Sequence, residues 1–165
     1  FIYAPLVNYA DHTFGVCKKM LDDKNAIMGL GDGGAHVGFI LDAGYPTWLI
    51  SYWSVKQKAY SMEETVRRLT SDTANAAGLN DRGLLKVGLK ADINIIDWEN
   101  VSSSDPFMTQ DLPAGGKRLM QYTKGYVATI VSGKVTYKNG KFTKERPGTV
   151  VKSVKDEEKT LEFTN

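Results

Sequence analysis

The stretch Ala26-Ile-Met-Gly-Leu-Gly-Asp-Gly-Gly-Ala-His-Val-Gly38 runs from a short apolar segment into a glycine-rich loop. The segment at 26–30 is predicted to be a short buried strand, since a brief apolar run bounded by turn-forming residues is typical of a strand inside a sheet. A strand that ends here directs the carboxylate of Asp32 out of its carboxyl edge. In α/β barrels, that edge is where the reacting groups lie. The pattern therefore makes Asp32 the first candidate for a catalytic residue.

The loop after the predicted strand offers further candidates. Its glycines, among them Gly33 and Gly34, let a substrate or a metal approach the backbone closely. His36 lies in the same loop and is a candidate for binding substrate or for positioning the carboxylate. A simpler interpretation is an ordinary strand-to-helix turn in which Asp32 caps a helix. The motif alone leaves both interpretations open.

The same glycines also match a dinucleotide-binding pattern. The segment Gly29-Leu-Gly-Asp-Gly-Gly34 has the form G-x-G-x-x-G. However, Asp32 would set a carboxylate beside the pyrophosphate, and two like charges about 4 Å apart repel by about 4 kcal/mol at an effective dielectric of 20. A helix N-terminus stabilises a nearby anion by only about 0.3–2 kcal/mol, which does not offset this repulsion. The acidic residue expected about 20 positions further on is also absent. A dinucleotide-binding domain is therefore the less favoured alternative.

Helical patterns surround this stretch in the first half of the chain. Pro46 suits the first turn of a helix, and residues 47–53 are apolar nearly all round, which indicates burial on most faces. The clearest helix is predicted over about 61–77, where Ser61 and Glu64 form a capping box. Its inner apolar stripe is predicted to consist of Val66, Leu69, Thr73, Ala76 and Ala77.

Strand patterns dominate after about residue 80. Residues 91–96 alternate apolar and polar side chains, which is typical of a half-buried strand. Residues 126–131 and 134–138 are predicted to form a hairpin, and Asn139-Gly140 after them suits a tight turn. The segment 149–154 is a further candidate strand. The chain is thus divided into residues 1–80, a small β-domain at 81–154 and a charged tail at 155–165.

Length and composition exclude several classes of protein. A chain of 165 residues is too short for a complete eight-stranded barrel, which needs about 250. The net charge of +2 is too small for a protein that binds nucleic acid through its phosphates. No run approaches the roughly 20 apolar residues of a membrane span. One cysteine excludes an internal disulfide, and with two histidines it leaves few ligands for a zinc site.

Three other groups of residues are weaker candidates. His12 and Cys17 have a loose metal spacing, and a solvated histidine beside a buried cysteine is the simpler interpretation. Four aromatic residues at helical spacing are expected in the core rather than in a pocket: Trp48, Tyr52, Trp53 and Tyr60. Lys117-Arg118 follows the turn-like segment 111–116 and is interpreted as part of a surface loop, although such a pair can clamp an anion.

Several ordered motifs resemble those of N-acyl-D-amino-acid deacylases (D-aminoacylases) of the amidohydrolase superfamily. The glycine loop at 29–38 and the segment Leu41-Asp-Ala-Gly-Tyr-Pro46 resemble the end of the barrel in these enzymes. Further motifs follow in order: Ser71-Asp-Thr-Ala-Asn-Ala-Ala-Gly-Leu79, Asp81–Asp97, Asp111-Leu-Pro-Ala-Gly-Gly116, Ala128-Thr-Ile-Val-Ser-Gly133 and Arg146-Pro-Gly148. Together the motifs span about residues 5–152.

The resemblance implies an α/β plus β fold, with the last strand–helix unit of a TIM-type barrel followed by part of a composite β-sandwich. Strand 8 of that barrel would be about 26–30 and its last helix about 61–77. The implied activity is metal-dependent hydrolysis of the amide bond of N-acyl amino acids. Asp32 would be the general base and acid for water bound to a divalent metal, usually zinc, and is also a possible metal ligand. Gly33, Gly34 and His36 would contact substrate.

The resemblance also implies that this chain is only part of such an enzyme. The family's metal-binding histidines come from earlier strands that are absent here, so the fragment is expected to be inactive and to hold no metal tightly. Its expected partners are a small-molecule amide and either the missing N-terminal portion or further copies of itself. Neither nucleic acid nor membrane is expected, and the expected location is cytoplasmic. A non-catalytic β-rich assembly module is an alternative.

Overall fold

A computed structural model describes residues 9, 11–29, 31, 36–41 and 43–151. The helices of this part are α1 (Gly15–Leu21), α2 (Tyr45–Trp48), a π-helix (Leu49–Lys56), α3 (Met62–Leu69) and α4 (Ser71–Ala76). The strands are β1 (Ile93–Ile96), β2 (Ser102–Ser103), β3 (Phe107–Leu112), β4 (Gly116–Met120), β5 (Thr123–Lys124), β6 (Tyr126–Val131), β7 (Lys134–Lys138) and β8 (Lys141–Phe142). None of the helices in these ranges is both long and apolar enough to cross a bilayer.

The helix predicted over about 61–77 is two helices, α3 and α4, separated at Thr70. Ser61 caps α3 as predicted, since its hydroxyl accepts the backbone N–H of Glu64 at 3.1 Å. At Thr70 the backbone leaves the helical region, with φ −126° and ψ −84°. The Thr70 hydroxyl donates to the carbonyl of Val66 at 2.6 Å, and such back-bonding by threonine bends helices. The predicted single helix was therefore wrong at one internal residue.

The loop that follows α4 packs closely against the helix. Gly83 has a φ of +90°, and a Cβ there would lie 2.9 Å from the Cβ of Ala74 and 3.0 Å from the Cα of Ser71. Only glycine allows both that backbone conformation and that separation. The chain is therefore held against α4 where it leaves the helical half.

The core of the helical half forms around the π-helix. Leu49, Trp53 and Tyr60 are buried, and Trp48 and Tyr52 pack against them. The rings of Trp48 and Tyr52 stack with centroids 4.7 Å apart, while Phe14 meets each of them edge-on. The predicted core role of the four aromatic residues is confirmed, because they pack on each other and on α1.

The second half contains a four-stranded antiparallel sheet in the order β1-β6-β7-β8. The predicted hairpin is confirmed: β6 pairs with β7 across the turn Ser132-Gly133, and Val131 lies opposite Lys134. Both residues of the next turn, Asn139 and Gly140, have positive φ angles of 48° and 74°, as tight hairpins require. Residues 149–151, by contrast, form no strand. The rest of that candidate strand, 152–154, and the charged tail at 155–165 lie outside the described residues.

Two shorter pairs of strands complete the β half. β2 pairs with β5, and β3 pairs with β4 through a turn at Pro113–Gly115. The segment interpreted from the sequence as a surface loop is thus a hairpin. Its β3 strand contains a bulge, because Thr109 faces Arg118 while Leu112 faces Gly116. The Pro-Ala-Gly-Gly turn is the sequence signal that could have identified this hairpin.

The predicted strand at about 26–30 is not seen over its described residues, 26–29. Residues 26–29 are irregular, the side chain of Ile27 is 54% exposed, and Leu30 lies outside the described residues. A strand is stabilised by hydrogen bonds to a neighbouring strand, and every pair of strands in the described ranges is antiparallel and lies after residue 92. The parallel sheet of a barrel is therefore not seen in this structure.

Candidate functional site

The first site candidate, Asp32, lies outside the described residues, as do Gly33 and Gly34. Their catalytic, metal-binding and substrate-binding roles therefore stay predictions. The described neighbours on the two sides are Gly31 and the segment 36–41. The geometry of the site is built from that segment and from the elements that contact it.

His36 is exposed at the start of a hydrogen-bonded turn. Its backbone carbonyl accepts the N–H groups of Phe39 at 2.9 Å and Ile40 at 3.1 Å. Its φ of 44° is in the left-handed region, which is uncommon for a residue with a side chain. The imidazole stacks on the ring of Phe39, with centroids 5.1 Å apart, and Phe39 is 72% exposed. The His36 side chain is thus accessible to a ligand from solvent.

The β3–β4 hairpin contacts this same segment. The backbone N–H of Leu119 on β4 donates to the carbonyl of Val37 at 2.7 Å. β4 therefore bonds to β3 on one edge and to the segment 36–41 on the other. This contact between distant parts of the chain was not predicted from the sequence.

The hairpin carries one internal ion pair. Arg118 donates to both carboxylate oxygens of Asp111, at 2.8 and 2.6 Å. This hydrogen bonding lowers the pKa of Asp111 below its usual value. Lys117 lies beside Arg118, is exposed, and makes no ion pair within the described residues.

The weaker metal candidates, His12 and Cys17, are not brought together with other ligands. No group of three or more His, Cys, Asp or Glu side chains that could hold a metal occurs among the described residues. Cys17 is half-buried, and burial raises the pKa of its thiol, which disfavours the thiolate that binds metals. The described residues therefore do not fit a metal centre by themselves.

The structure reveals a polar cluster that the sequence did not indicate. The Tyr60 hydroxyl donates to Asp22 at 2.9 Å, and Lys18 donates to the same carboxylate at 2.6 Å. The guanidinium of Arg68 and the ammonium of Lys18 lie 4.5 and 4.6 Å from the centroid of the Tyr60 ring. Burial, followed by the bond to Asp22, raises the pKa of Tyr60. The phenol therefore stays protonated and ties α1 to the π-helix region rather than acting as a base.

A large open cleft lies between the helices and the segment 83–98. Its volume is about 1140 Å³. The predicted inner stripe of the 61–77 helix lines it, including Val66, Leu69 and Thr73. On the other side of the cleft, Leu85 and Val87 are 89% and 100% exposed. The stripe thus lines an open apolar cleft, and Leu69 also packs against the core around Leu49.

The described residues do not form a strand–loop–helix unit around the glycine loop. Residues 26–29 are irregular, residues 36–39 form a turn, and the next helix begins only at Tyr45. A dinucleotide site needs a helix that opens directly from the glycine loop. The described geometry gives that alternative no support.

Comparison with known proteins gives one family. The family model described as the amidohydrolase family matches residues 8–137, a range that contains the glycine loop and the β3–β4 hairpin. The match thus covers most of the chain.

Two curated relatives are similar to parts of the chain. N-acyl-D-aspartate deacylase from Alcaligenes xylosoxydans xylosoxydans is 29% identical over 96 residues, which are 58% of this chain and 18% of that protein. Dihydroorotase from Lactobacillus acidophilus is 33% identical over 89 residues, 52% of this chain and 20% of that protein. The alignments thus span about a fifth of each relative. No solved structure matches the chain significantly.

Proposed function

The chain belongs to the amidohydrolase family, and on that premise we propose that it is the C-terminal portion of a metal-dependent enzyme that hydrolyses the amide C–N bond of N-acyl amino acids. The observation that carries the proposal is the family match over residues 8–137, which includes the loop with Asp32. Similarity to a protein named N-acyl-D-aspartate deacylase supports the substrate class. The proposal keeps the cytoplasmic location expected from the sequence.

In this proposal Asp32 moves one proton during each turnover. Its carboxylate accepts a proton from the water whose oxygen attacks the carbonyl carbon. When the C–N bond breaks, the protonated Asp32 returns that proton to the nitrogen of the leaving amine. A carboxylate within hydrogen-bond reach of both groups serves as general base and then as general acid.

The other loop residues hold the substrate. Gly33 and Gly34 let it approach the backbone. The exposed imidazole of His36, stacked on Phe39, offers ring nitrogens as hydrogen-bonding groups to a polar part of the substrate.

Members of this family generally bind divalent metals, and the proposal includes one, zinc. The described residues do not supply a set of ligands for it. We therefore assign its ligands to a part of the enzyme outside this chain, with Asp32 as a possible additional ligand.

The apolar cleft supports the proposal that the chain is completed by more protein. A cleft of about 1140 Å³ beside nearly fully exposed Leu85 and Val87 leaves much apolar surface in water. Each Å² of such surface costs about 25 cal/mol when it stays exposed. The proposed occupant is the remainder of the same enzyme, since the alignments span only about a fifth of each relative.

The test is the substitution Asp32→Asn in the complete enzyme. Loss of the proton-transfer group is expected to lower kcat by about 10²–10⁴-fold while leaving the melting temperature unchanged. Asp105→Asn is a matched control, because Asp105 is exposed and its carboxylate makes no ion pair within the described residues. Near-normal turnover by Asp32→Asn would contradict the assignment.

A non-catalytic assembly module is the second candidate, and the open apolar cleft favours it. Such a module would form a stable complex through the cleft. It would show no hydrolysis of N-acyl amino acids in the complete protein, with or without Asp32→Asn.

A further inference from the structure

The four-stranded sheet carries a row of polar side chains on one face. Asn94 of β1 lies opposite Thr129 of β6, and Thr129 lies opposite Tyr137 of β7. Residues directly opposite each other in a sheet project to the same face. All three line a pocket of about 300 Å³, to which the segment 121–123 and Thr47 of α2 also contribute. The pairing of the strands thus fixes one wall of this pocket.

Two hydrogen bonds hold other parts of the pocket wall in place. The hydroxyl groups of Thr47 and Tyr126 lie 2.9 Å apart and bond to each other. The side-chain amide of Gln121 donates to the backbone carbonyl of Ser104 at 2.8 Å. These bonds exist before any ligand arrives, so little conformational freedom of these side chains is lost on binding.

Two tyrosine rings of the lining are supported by aromatic neighbours that do not line the pocket. The ring of Tyr122 packs on Phe107 with centroids 5.0 Å apart, and that of Tyr137 packs on Phe142 at 5.4 Å. Tyr122 and Tyr137 nevertheless remain 65% and 47% exposed. Such rings offer a large contact surface with a polar group at one end, at a low cost in conformational entropy.

The chemistry of the lining selects the class of ligand. None of the described residues that line the pocket is Asp, Glu, Lys, Arg or His, so a charged ligand would leave water without a counter-charge. The lining side chains are hydroxyls, phenols and amides, which can both donate and accept hydrogen bonds. The side-chain polar atoms of Asn94, Thr129 and Tyr137 make no hydrogen bond within the described residues. They are therefore available to a ligand whose own groups also donate and accept.

We propose that this pocket binds a small neutral polyhydroxy compound, of the size of one monosaccharide ring. The ligand's hydroxyl groups bond to Asn94 and Thr129, and its C–H faces cover the rings of Tyr122 and Tyr137. A volume of about 300 Å³ equals that of roughly ten water molecules and lies at the small end of the range for ligand pockets. The inference does not rest on the proposed function, because this binding uses neither Asp32 nor a metal.

The test is a titration of the ¹⁵N-labelled 165-residue chain, followed by NMR, with D-glucose, D-galactose, D-mannose and D-ribose in turn. At least one sugar is expected to shift the backbone amide signals of 121–123, Thr129 and Tyr137 in a saturable way. D-glucuronate, which carries a carboxylate, and cyclohexanol, which has a ring but a single hydroxyl, are expected to bind more weakly than that sugar.

Thr129→Val tests the assignment of the site, because it removes the hydroxyl and keeps the shape of the side chain. It is expected to raise the Kd of the bound sugar about threefold to tenfold, the effect of one lost hydrogen bond. Thr109→Val is the matched control at a half-buried strand threonine that does not line the pocket, and its Kd is expected to equal that of the wild type.

Three results would overturn the proposal. The first is that none of the four sugars gives a saturable shift at the pocket residues. The second is that D-glucuronate or cyclohexanol binds as tightly as the best sugar, which would remove the neutral polyhydroxy class. The third is that Thr129→Val and Thr109→Val bind the sugar equally well, which would place the site elsewhere.

Discussion

Helix α3 has two sides with opposite surroundings. On one side Thr65 is fully buried and donates its hydroxyl to the carbonyl of Ser61 at 2.8 Å, while Arg68 lies over the ring of Tyr60. On the other side Val66 is 43% exposed and lines the open cleft. The chain therefore covers one side of the helix with its own residues, while the other side faces an open cleft.

The difference shows where the stability of this chain arises. The packed side includes Leu49 and the aromatic rings around the π-helix, whose apolar surface is removed from water by the chain itself. The cleft side contributes apolar surface that stabilises the molecule only when something covers it. Substitutions on the two sides should therefore differ in the isolated chain, and the difference should narrow in the complete enzyme.

The largest effect is expected on the packed side, from Leu49→Ala. Leu49 has no exposed surface, so the substitution removes buried methyl groups and leaves a cavity among aromatic rings. We expect the free energy of unfolding of the 165-residue chain to fall by about 2–5 kcal/mol, as large-to-small core substitutions do. Urea denaturation measures it. A loss below about 1 kcal/mol would show that the π-helix does not hold the core as described.

A smaller effect is expected from Tyr60→Phe, which removes the hydrogen bond to Asp22 but keeps the ring between Lys18 and Arg68. The melting temperature should fall by a few degrees, clearly less than for Leu49→Ala. Tyr122→Phe is the matched control, because Tyr122 is 65% exposed and its ring contact with Phe107 survives the change.

The pH dependence gives this substitution a second readout. Burial and then the bond to Asp22 raise the pKa of Tyr60 above its ordinary value of about 10. A raised folded-state pKa contributes stability that is present below pH 10 and is lost as the pH rises above it. The wild-type advantage over Tyr60→Phe should therefore shrink above about pH 10. If the stability of the wild type relative to Tyr60→Phe instead increased above about pH 10, the hydrogen-bonded cluster around Tyr60 would be contradicted.

The sequence was sufficient where structural partners are close along the chain. The β6–β7 hairpin could be predicted from two strand-like runs and the turn Ser132-Gly133. Ser61 marks the start of its helix through a hydrogen bond to Glu64. The break at Thr70 was not predictable, because it coincides with the close packing of Gly83 on α4. The segment 26–30 was predicted to be a strand, but strand formation depends on neighbouring strands that its own residues do not specify.

The candidate site shows the same limit. The sequence identified His36 as a candidate, and the structure finds it exposed and stacked on Phe39. The contact of Leu119 with Val37 joins segments that are remote in the chain, and no local pattern indicates it. Because the segment 111–116 was interpreted as part of a surface loop, the β3–β4 hairpin that makes this contact was not predicted.

The smallest effect in the isolated chain is expected on the cleft side, from Leu85→Ser. Leu85 is 89% exposed and lines the cleft, so little buried surface is lost, and the free energy of unfolding should change by less than about 0.5 kcal/mol. In the complete enzyme the same substitution should cost about 1.5–3 kcal/mol, because a covered leucine side chain contributes that much by burial.

Val150→Ser separates covering of the cleft from a general effect of exposed apolar residues. Val150 is 85% exposed and does not line the cleft, so its substitution should be neutral in both the isolated chain and the complete enzyme. Denaturation of both variants in both contexts measures the difference. If Leu85→Ser is as mild as Val150→Ser in the complete enzyme, the cleft is not where the rest of the protein packs, because a filled cleft must bury Leu85 and an unfilled one need not.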